Sequence, residues 1–458
     1  MKKSVFAAAL LLSIILALPI IGNTFIKKTI DARVLELESY GLSVRKDESR
    51  SNYFKSSRHF EFLLQDTQKF LIYLQQYSDK QIPPYVNAMF EGVVVGADVE
   101  YSNLPFAKAF EVEIYPMTLS RKMGEDLKKN DLTIYKKLND FLGIKGLLYH
   151  IEYNLINEDF KGYIKDIEEK LLFNDGVDLE IVLEDANFKG NGALIAPNEL
   201  HSKIKNLQLQ LHQDVKEITL HCKDLATSMN FESANTYVTS AEMEHMDISL
   251  LGVSDDINLT MQKLRINSSS NAQSQSIELN SKSSIKSFEI HSKTSDFMMK
   301  KFNFDMAIND LDKELYTKLV ELLSEEKAMV SQQSNTALQT TLIKLLSKGL
   351  LLHIGDFSVD SFSKDKQEFL DGFTVNAAVT IKEDKDLAQK IKISPLMAIT
   401  DVALESEVRI SKALYAKLQA NNMMLARLQG YEKDDGDAYL FVLQFVDGKA
   451  SINGRVLN

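Results

Sequence analysis

The chain has 458 residues, with 53 Lys and Arg against 64 Asp and Glu, for a formal net charge of −11. Hydrophobic residues at 45% and charged residues at 26% exclude wholesale disorder, and the length allows about two to four domains or one elongated one. The acidic balance excludes a general nucleic-acid binder, which needs a basic surface to displace counterions from phosphates. The single cysteine, Cys222, excludes an intrachain disulfide, a CxxC redox pair and a cysteine zinc site.

Lys2 and Lys3 precede an uncharged stretch, Val5 to Gly22, interrupted only by Ser13 and Pro19. As a helix its 18 residues rise about 27 Å, near the lower limit for crossing a hydrocarbon core of about 30 Å. Val5, Leu10, Leu11, Leu12, Ile14, Ile15, Leu16, Ile20 and Ile21 are the expected anchor residues. A cleaved signal peptide and a retained signal-anchor compete here. The run ends Ala17-Leu18-Pro19-Ile20-Ile21-Gly22, without small residues at A-x-A spacing, which favours the retained anchor over 1–24. The short positive start is the export layout, so the bulk of the chain is expected in the periplasm, on a single-pass inner-membrane protein.

Downstream, period-two patterning dominates, which places alternate side chains on opposite faces of a sheet. Leu147-Tyr149-Ile151-Tyr153-Leu155, Val177-Leu179-Ile181-Leu183, Leu207-Leu209-Leu211 and Ile218-Leu220-Cys222 read as strands. Ile257-Leu259-Met261 then gives way to Leu264-Ile266, shifted by one residue, which reads as a β-bulge. Ile277-Leu279, Phe288-Ile290 and Phe302-Phe304-Met306-Ile308 continue the series. One apolar and one wetted face is what an antiparallel sheet allows, and the spacing leaves no room for crossover helices. The 265–295 stretch holds eleven serines, read as filler on the solvent face.

A helix is expected within 117–142. Leucines at 311, 315, 319, 322 and 323, and again at 338, 342, 345, 346 and 350, keep helical spacing and predict a helical hairpin over 311–352. Ser334 or Asn335 would cap its second helix, and Gly349 would lie near its end. The section 353–458 returns to strands, with a helix over 411–429. It closes with Tyr439-Phe441-Leu443-Phe445, Asp447-Gly448 and Ala450-Ile452, the strongest hairpin signal in the chain. The fold class expected is therefore α+β: an anchor, then an elongated, mainly antiparallel body with a few packing helices. The β-rich region spans 25–310.

The layout of both ends resembles the YdgA-like family of bacterial envelope proteins. The resemblance rests on the anchor, on Tyr40-Gly41 with Asn52-Tyr53-Phe54-Lys55-Ser56-Ser57-Arg58-His59-Phe60-Glu61-Phe62, and on the closing stretch Tyr439-Leu440-Phe441 to Asn453-Gly454. The family's usual glycine near the Tyr53 turn is replaced by Phe54-Lys55. The resemblance implies an inner-membrane anchor and a periplasmic β-rich body, and supplies no catalytic residues. The plan is also similar to that of AsmA-like envelope proteins, some of them linked to lipid handling.

No P-loop, GxGxxG, GxSxG or HExxH spacing occurs in the chain. The eight histidines, at 59, 150, 201, 212, 221, 245, 291 and 353, are scattered singly. His212 and His221 could face each other across a hairpin, but both are out of phase with their apolar neighbours and read as solvent-facing. Glu242-Met243-Glu244-His245-Met246-Asp247 is the densest set of candidate ligands, and strand alternation splits it between two faces. Cys222 falls on an apolar phase and reads as a packing residue. No catalytic residue, metal site or cofactor is expected.

The collective feature is the apolar sheet face. It reads either as a core closed by the helices of 311–350 and 117–142, or as a groove for acyl chains. Leu207, Leu209, Leu211, Ile257, Leu259 and Met261 are the candidate groove residues. The expected function is a non-enzymatic envelope binding or scaffold component whose partners are the membrane, a lipid or another envelope protein, and not nucleic acid. The alternatives are an envelope hydrolase with an unrecognised site and a structural part of a larger membrane machine.

Overall fold

The computed structural model describes residues 23–24, 26–75, 90–104, 109–194, 197–233, 235–252, 256–324, 332–365, 368–421 and 428–457. The anchor segment Val5 to Gly22 lies outside these residues. Among the described residues no helix is long and apolar enough to cross a membrane. The body is mainly antiparallel β-sheet with a few helices. It divides into two compact units, 1–207 and 208–458.

In the first unit the strands are β1 (Leu42–Ser51), β2 (Lys55–Leu64), β3 (Val94–Ser102), β4 (Ala109–Pro116), β5 (Tyr149–Asn154), β6 (Asp159–Ile164), β7 (Ile167–Leu172) and β8 (Val177–Gly192). They pair in the order β1-β2-β3-β4-β5-β6-β8, all antiparallel. β7 pairs with the first half of β8 and β6 with the second. At the break Asp185 turns left-handed (φ 50°), and its N–H donates to Asp166 Oδ1 at 2.8 Å.

Alternation on β2 and β3 puts Phe60, Phe62, Val99 and Tyr101 on one face. A helix over residues 26–39 lays Ile26, Ile30, Val34 and Leu37 onto them. Phe60 is only 2% exposed. Arg58 shares that face. Its guanidinium bonds Asp47 at 2.8 and 2.7 Å and Asp31 at 2.5 Å, and lies 4.6 Å above the Phe60 ring. The hydrogen bonds to Asp47 and Asp31 outweigh burial and hold Arg58 above its ordinary range. The helix expected within 117–142 is two helices, Arg121–Asn130 and Leu132–Gly143. Asp131 breaks them apart and caps the second, accepting from Ile134 N–H at 3.0 Å.

The division at 207/208 falls inside β9 (Pro197–Gln213). The second unit continues with β10 (Lys216–Ser233), β11 (Thr236–Leu251), β12 (Ile257–Ala272), β13 (Ser276–Ser292), β14 (Asp296–Asp312), β15 (Leu350–Lys364), β16 (Leu370–Ile381) and β17 (Val402–Ser411). The last strands are β18 (Lys433–Asp435), β19 (Ala438–Val446), β20 (Lys449–Ile452) and β21 (Arg455–Val456). From β10 to β17 each strand pairs antiparallel with the next, and β19 follows β17.

One transverse line interrupts this sheet. The ladder skips between Gln262/Ser287 and Leu264/Ile285, and Lys263 is left-handed there (φ 52°). The apolar phase shifts by one as read from the sequence, but both strands skip one residue and keep register, so the expected β-bulge is not what produces the shift. The same gap recurs on every strand from β10 to β16, at Asp224, Glu244, Lys263, Lys286, Lys301, Asp360 and Gly372. Asp224 and Lys301 are also left-handed (φ 49° each). Gly372 meets the line where a Cβ would lie 1.8 Å from the Val359 carbonyl, so no larger residue fits. The line is a crease across seven strands.

Three further expectations need correction. Leu311 ends β14 and Leu350 opens β15, so the helical hairpin is shorter, Lys313–Ser324 and Gln332–Ser347. Its second helix starts at Gln332, ahead of the expected caps Ser334 and Asn335. Gly349 does follow its end (φ 80°). Ser281 and Ser283 are not solvent-face filler. They alternate in phase with Ile277, Leu279 and Ile285, and Ile277 is fully buried under the hairpin helices. The closing hairpin turns at Asp447-Gly448 with φ of 49° and 74°, as a two-residue turn requires.

Candidate functional site

In the second unit directly opposite residues form continuous apolar rows. One row is Leu220, Ile248, Leu259, Ile290 and Phe297. The next is Cys222, Met246, Met261, Phe288, Met299, Phe362 and Leu370. Beyond the crease runs Met243, Leu264, Ile285, Phe302, Val359, Phe373, Ile410 and Tyr439. At about 4.8 Å per strand, the seven-strand row spans about 29 Å.

Helices cover only parts of this face. The hairpin helices bury Ile277 and Leu311. The helix Lys412–Asn421, within the predicted 411–429 zone, packs Tyr415 on Phe441 and Ile452. The two rows before the crease are half-buried along their length, neither sealed nor fully exposed. On the other side of the crease, two rows past Met243, Leu264 and Ile285, lies a hydroxyl patch, Thr239, Ser268 and Ser281, directly opposite one another and continuing into Met306.

Of the candidate groove residues, Ile257, Leu259 and Met261 lie on this open face, with Ile257 37% exposed. Leu209 and Leu211, each 36% exposed, lie on β9, with β10 and β11 intervening. Leu207 falls in the first unit. Cys222 is half-buried, and desolvation by burial pushes its thiol above its ordinary range, which suits a packing role.

The residues weighed for chemistry are held by neighbours. Glu242 faces Arg265 at 3.8 Å and Glu244 faces Lys263 at 3.5 Å. His245 Nε2 bonds Asp247 Oδ2, while Asp247 Oδ1 accepts from Thr260 at 2.8 Å. His212 is next to last on β9 and His221 is the sixth residue of β10, so the hairpin does not set them opposite. Among the described residues no group of three or more His, Cys, Asp and Glu side chains is placed to hold a metal ion.

A second constellation, in the first unit, escaped the sequence reading. On the polar face of that sheet one level brings His59, Asp98, Glu113, His150 and Tyr163 side by side on neighbouring strands. Asp98 takes His59 Nδ1 at 2.6 Å, the Tyr115 hydroxyl at 2.8 Å and Lys145 Nζ at 2.6 Å. Lys145 Nζ also donates to Glu113 at 2.7 Å and lies 4.3 Å above the Tyr115 ring. Gly96 makes room for that ring, since a Cβ there would sit 2.4 Å from it. Lys145 reaches the site from a left-handed residue (φ 52°) just after the helix Leu132–Gly143.

The electrostatics follow. Burial works against the Asp98 anion, yet the hydrogen bonds from Lys145, His59 and Tyr115 hold its carboxyl below the ordinary range. Burial also works against the Lys145 cation, and its two carboxylates raise it above the ordinary value instead. Burial and the bond to Asp98 push the Tyr115 hydroxyl up to about 12. A cavity of about 480 Å³ opens over this cluster, with His59, Asp98, Glu111, Glu113, Lys145 and His150 in its wall. The legible signal was charge at alternate positions of successive strands, Asp98-x-Glu100, Glu111-x-Glu113 and His150-x-Glu152. Only the strand register shows that these positions meet.

Compared with protein-family models, with characterised proteins and with solved structures, the chain matches none. The likeness to YdgA-like proteins therefore rests on the residues quoted for it.

Proposed function

We propose that the second unit binds the acyl part of a lipid along its open sheet face. In this reading the chain is a non-enzymatic envelope component, held to the inner membrane by the Val5 to Gly22 segment, with its body in the periplasm. The observation that carries the proposal is the pair of apolar rows before the crease, only half-buried across neighbouring strands while helices cover other parts of the sheet. An open apolar area of this kind marks an interaction site on a soluble body. Each lipid CH₂ buried there contributes about 0.8 kcal/mol. The hydroxyls of Thr239, Ser268 and Ser281 offer hydrogen bonds farther along the same strands, across the crease. The resemblance to YdgA-like and AsmA-like proteins supports the same compartment and ligand class.

Lipid mass spectrometry on the purified full chain tests this. Stoichiometric lipid should accompany the wild type and be lost from Leu259→Asp/Ile290→Asp, with circular dichroism unchanged. Wild-type protein free of lipid, or lipid retained by the folded variant, would sink the proposal.

A further inference from the structure

The polar face of the first unit carries charge in blocks. One level of that sheet reads Glu100, Glu111, Glu152, Lys161 and Lys189 on five neighbouring strands, each residue directly opposite the next. Like charges set directly opposite are destabilising, and alternation would remove the cost. In the second unit several neighbouring charges are of opposite sign: Glu242 faces Arg265, Glu244 faces Lys263, Lys282 pairs Asp305 at 2.9 Å, and Lys301 pairs Asp360 at 3.1 Å, although Asp305 also faces Asp356.

Neutralisation within the blocks is partial. Lys55 pairs with Glu100, and Lys161 pairs with Glu152 at 3.0 Å. Glu111 stands inside the acidic block, and Lys189 ends the basic one. Glu111 lines the cavity of about 480 Å³. Lys189 and Lys161 line a neighbouring cavity of about 520 Å³. His150 forms part of both walls, so the two make one trough along the charged level.

We infer that this trough docks an extended peptide segment of a partner protein, with basic residues over Glu100 and Glu111 and acidic residues over Lys161 and Lys189. The spacing selects a peptide over a small zwitterion. Glu111 and Lys189 are three strand steps apart, about 14 Å, which an extended chain covers in about four residues. A lone cation or anion engages only one end. The segregation of charge also fixes which end of the segment lies where, because reversal sets like charges together.

The test is fluorescence anisotropy on the full chain with labelled, end-blocked peptides. A block peptide, Lys-Lys-Gly-Gly-Gly-Glu-Glu, is compared with an alternating peptide, Lys-Glu-Gly-Gly-Gly-Lys-Glu, and with the isolated Lys-Lys-Gly-Gly-Gly half. The block peptide should bind at least tenfold tighter than either of the others. K161A/K189A and E100A/E111A should each remove that advantage while circular dichroism stays unchanged. Equal binding of block and alternating peptides, no binding of either, or an advantage that survives both variants would overturn the inference. If the isolated half matches the whole block peptide, the site is an ion site only, and the peptide reading fails.

Discussion

The two units leave opposite faces unsatisfied. In the first, a helix seals aromatic residues of the apolar face, and the polar face holds charges in like-signed blocks. In the second, several charges pair with opposite charges on the neighbouring strand, and much of the apolar face stays open. Sheets in one chain, built with the same alternation, thus present different chemistry because different sides were closed. Function is best sought on whichever face the fold has left incomplete.

The largest expected effects concern closure. Phe60→Ala should cost about 3–5 kcal/mol and Ile277→Ala about 2–5 kcal/mol, because each empties a sealed site. Leu259→Ala should cost under about 1 kcal/mol, since a half-buried side chain open to solvent leaves no sealed cavity. Chemical denaturation of the three variants checks this. A Leu259→Ala cost equal to that of Ile277→Ala would mean that the second unit is closed too, and the comparison would collapse.

A middle-sized effect belongs to the charged network of the first unit. Lys145→Met should cost about 1–3 kcal/mol by stripping hydrogen bonds from two part-buried carboxylates. Its pH dependence follows from the signs of the shifts. Asp98 is lowered on folding, so its contribution is present above its ordinary pKa and lost as pH falls through the folded value. Lys145 is raised, so its contribution is present below its ordinary pKa and lost as pH rises through the folded value. The Tyr115 hydroxyl, favoured in its neutral form, loses its contribution between its ordinary value of 10.0 and about 12. The stability gap between wild type and Lys145→Met should therefore be flat from about pH 5 to pH 9 and narrow outside that window. Thermal melts across pH read it directly, and a flat gap throughout would show that Lys145 acts by packing alone.

The smallest effect sharpens the contrast. Glu242→Gln should change stability by under about 1 kcal/mol, because its partner Arg265 is exposed and solvent screens the pair. What little it costs should vanish at high salt. A larger, salt-resistant cost would mean that the paired face of the second unit is also under strain.

Much of the fold was legible because period two survives in long strands. Ile218-Leu220-Cys222 and Phe302-Phe304-Met306-Ile308 declare their faces without any knowledge of their neighbours. The break after Met261 was legible for the same reason, since it shifts the apolar phase by one, but it was misread as a bulge because only the partner strand shows that both skip together. Seeing that six other strands yield at the same level required the register, which no single strand encodes. The serines misled because composition was read in place of parity: Ser281 and Ser283 are polar residues on the apolar phase. Leu311 and Leu350 misled because a leucine at helical spacing can equally end a strand. Asp98, Glu113 and His150 were visible as residues, but their meeting with Lys145 depends on a left-handed turn after a helix.

The crease has a further consequence. Its left-handed residues Asp224, Lys263 and Lys301 lie on alternate strands, 39 and then 38 residues apart (263 − 224 = 39; 301 − 263 = 38). A two-strand hairpin of that length thus recurs twice between β10 and β14. Removing residues 224–262 would join one strand running in a given direction to another running the same way, with a left-handed residue still at the joint. Between β10 and β14 the apolar face can accordingly be widened or narrowed in steps of two strands without re-registering the rest.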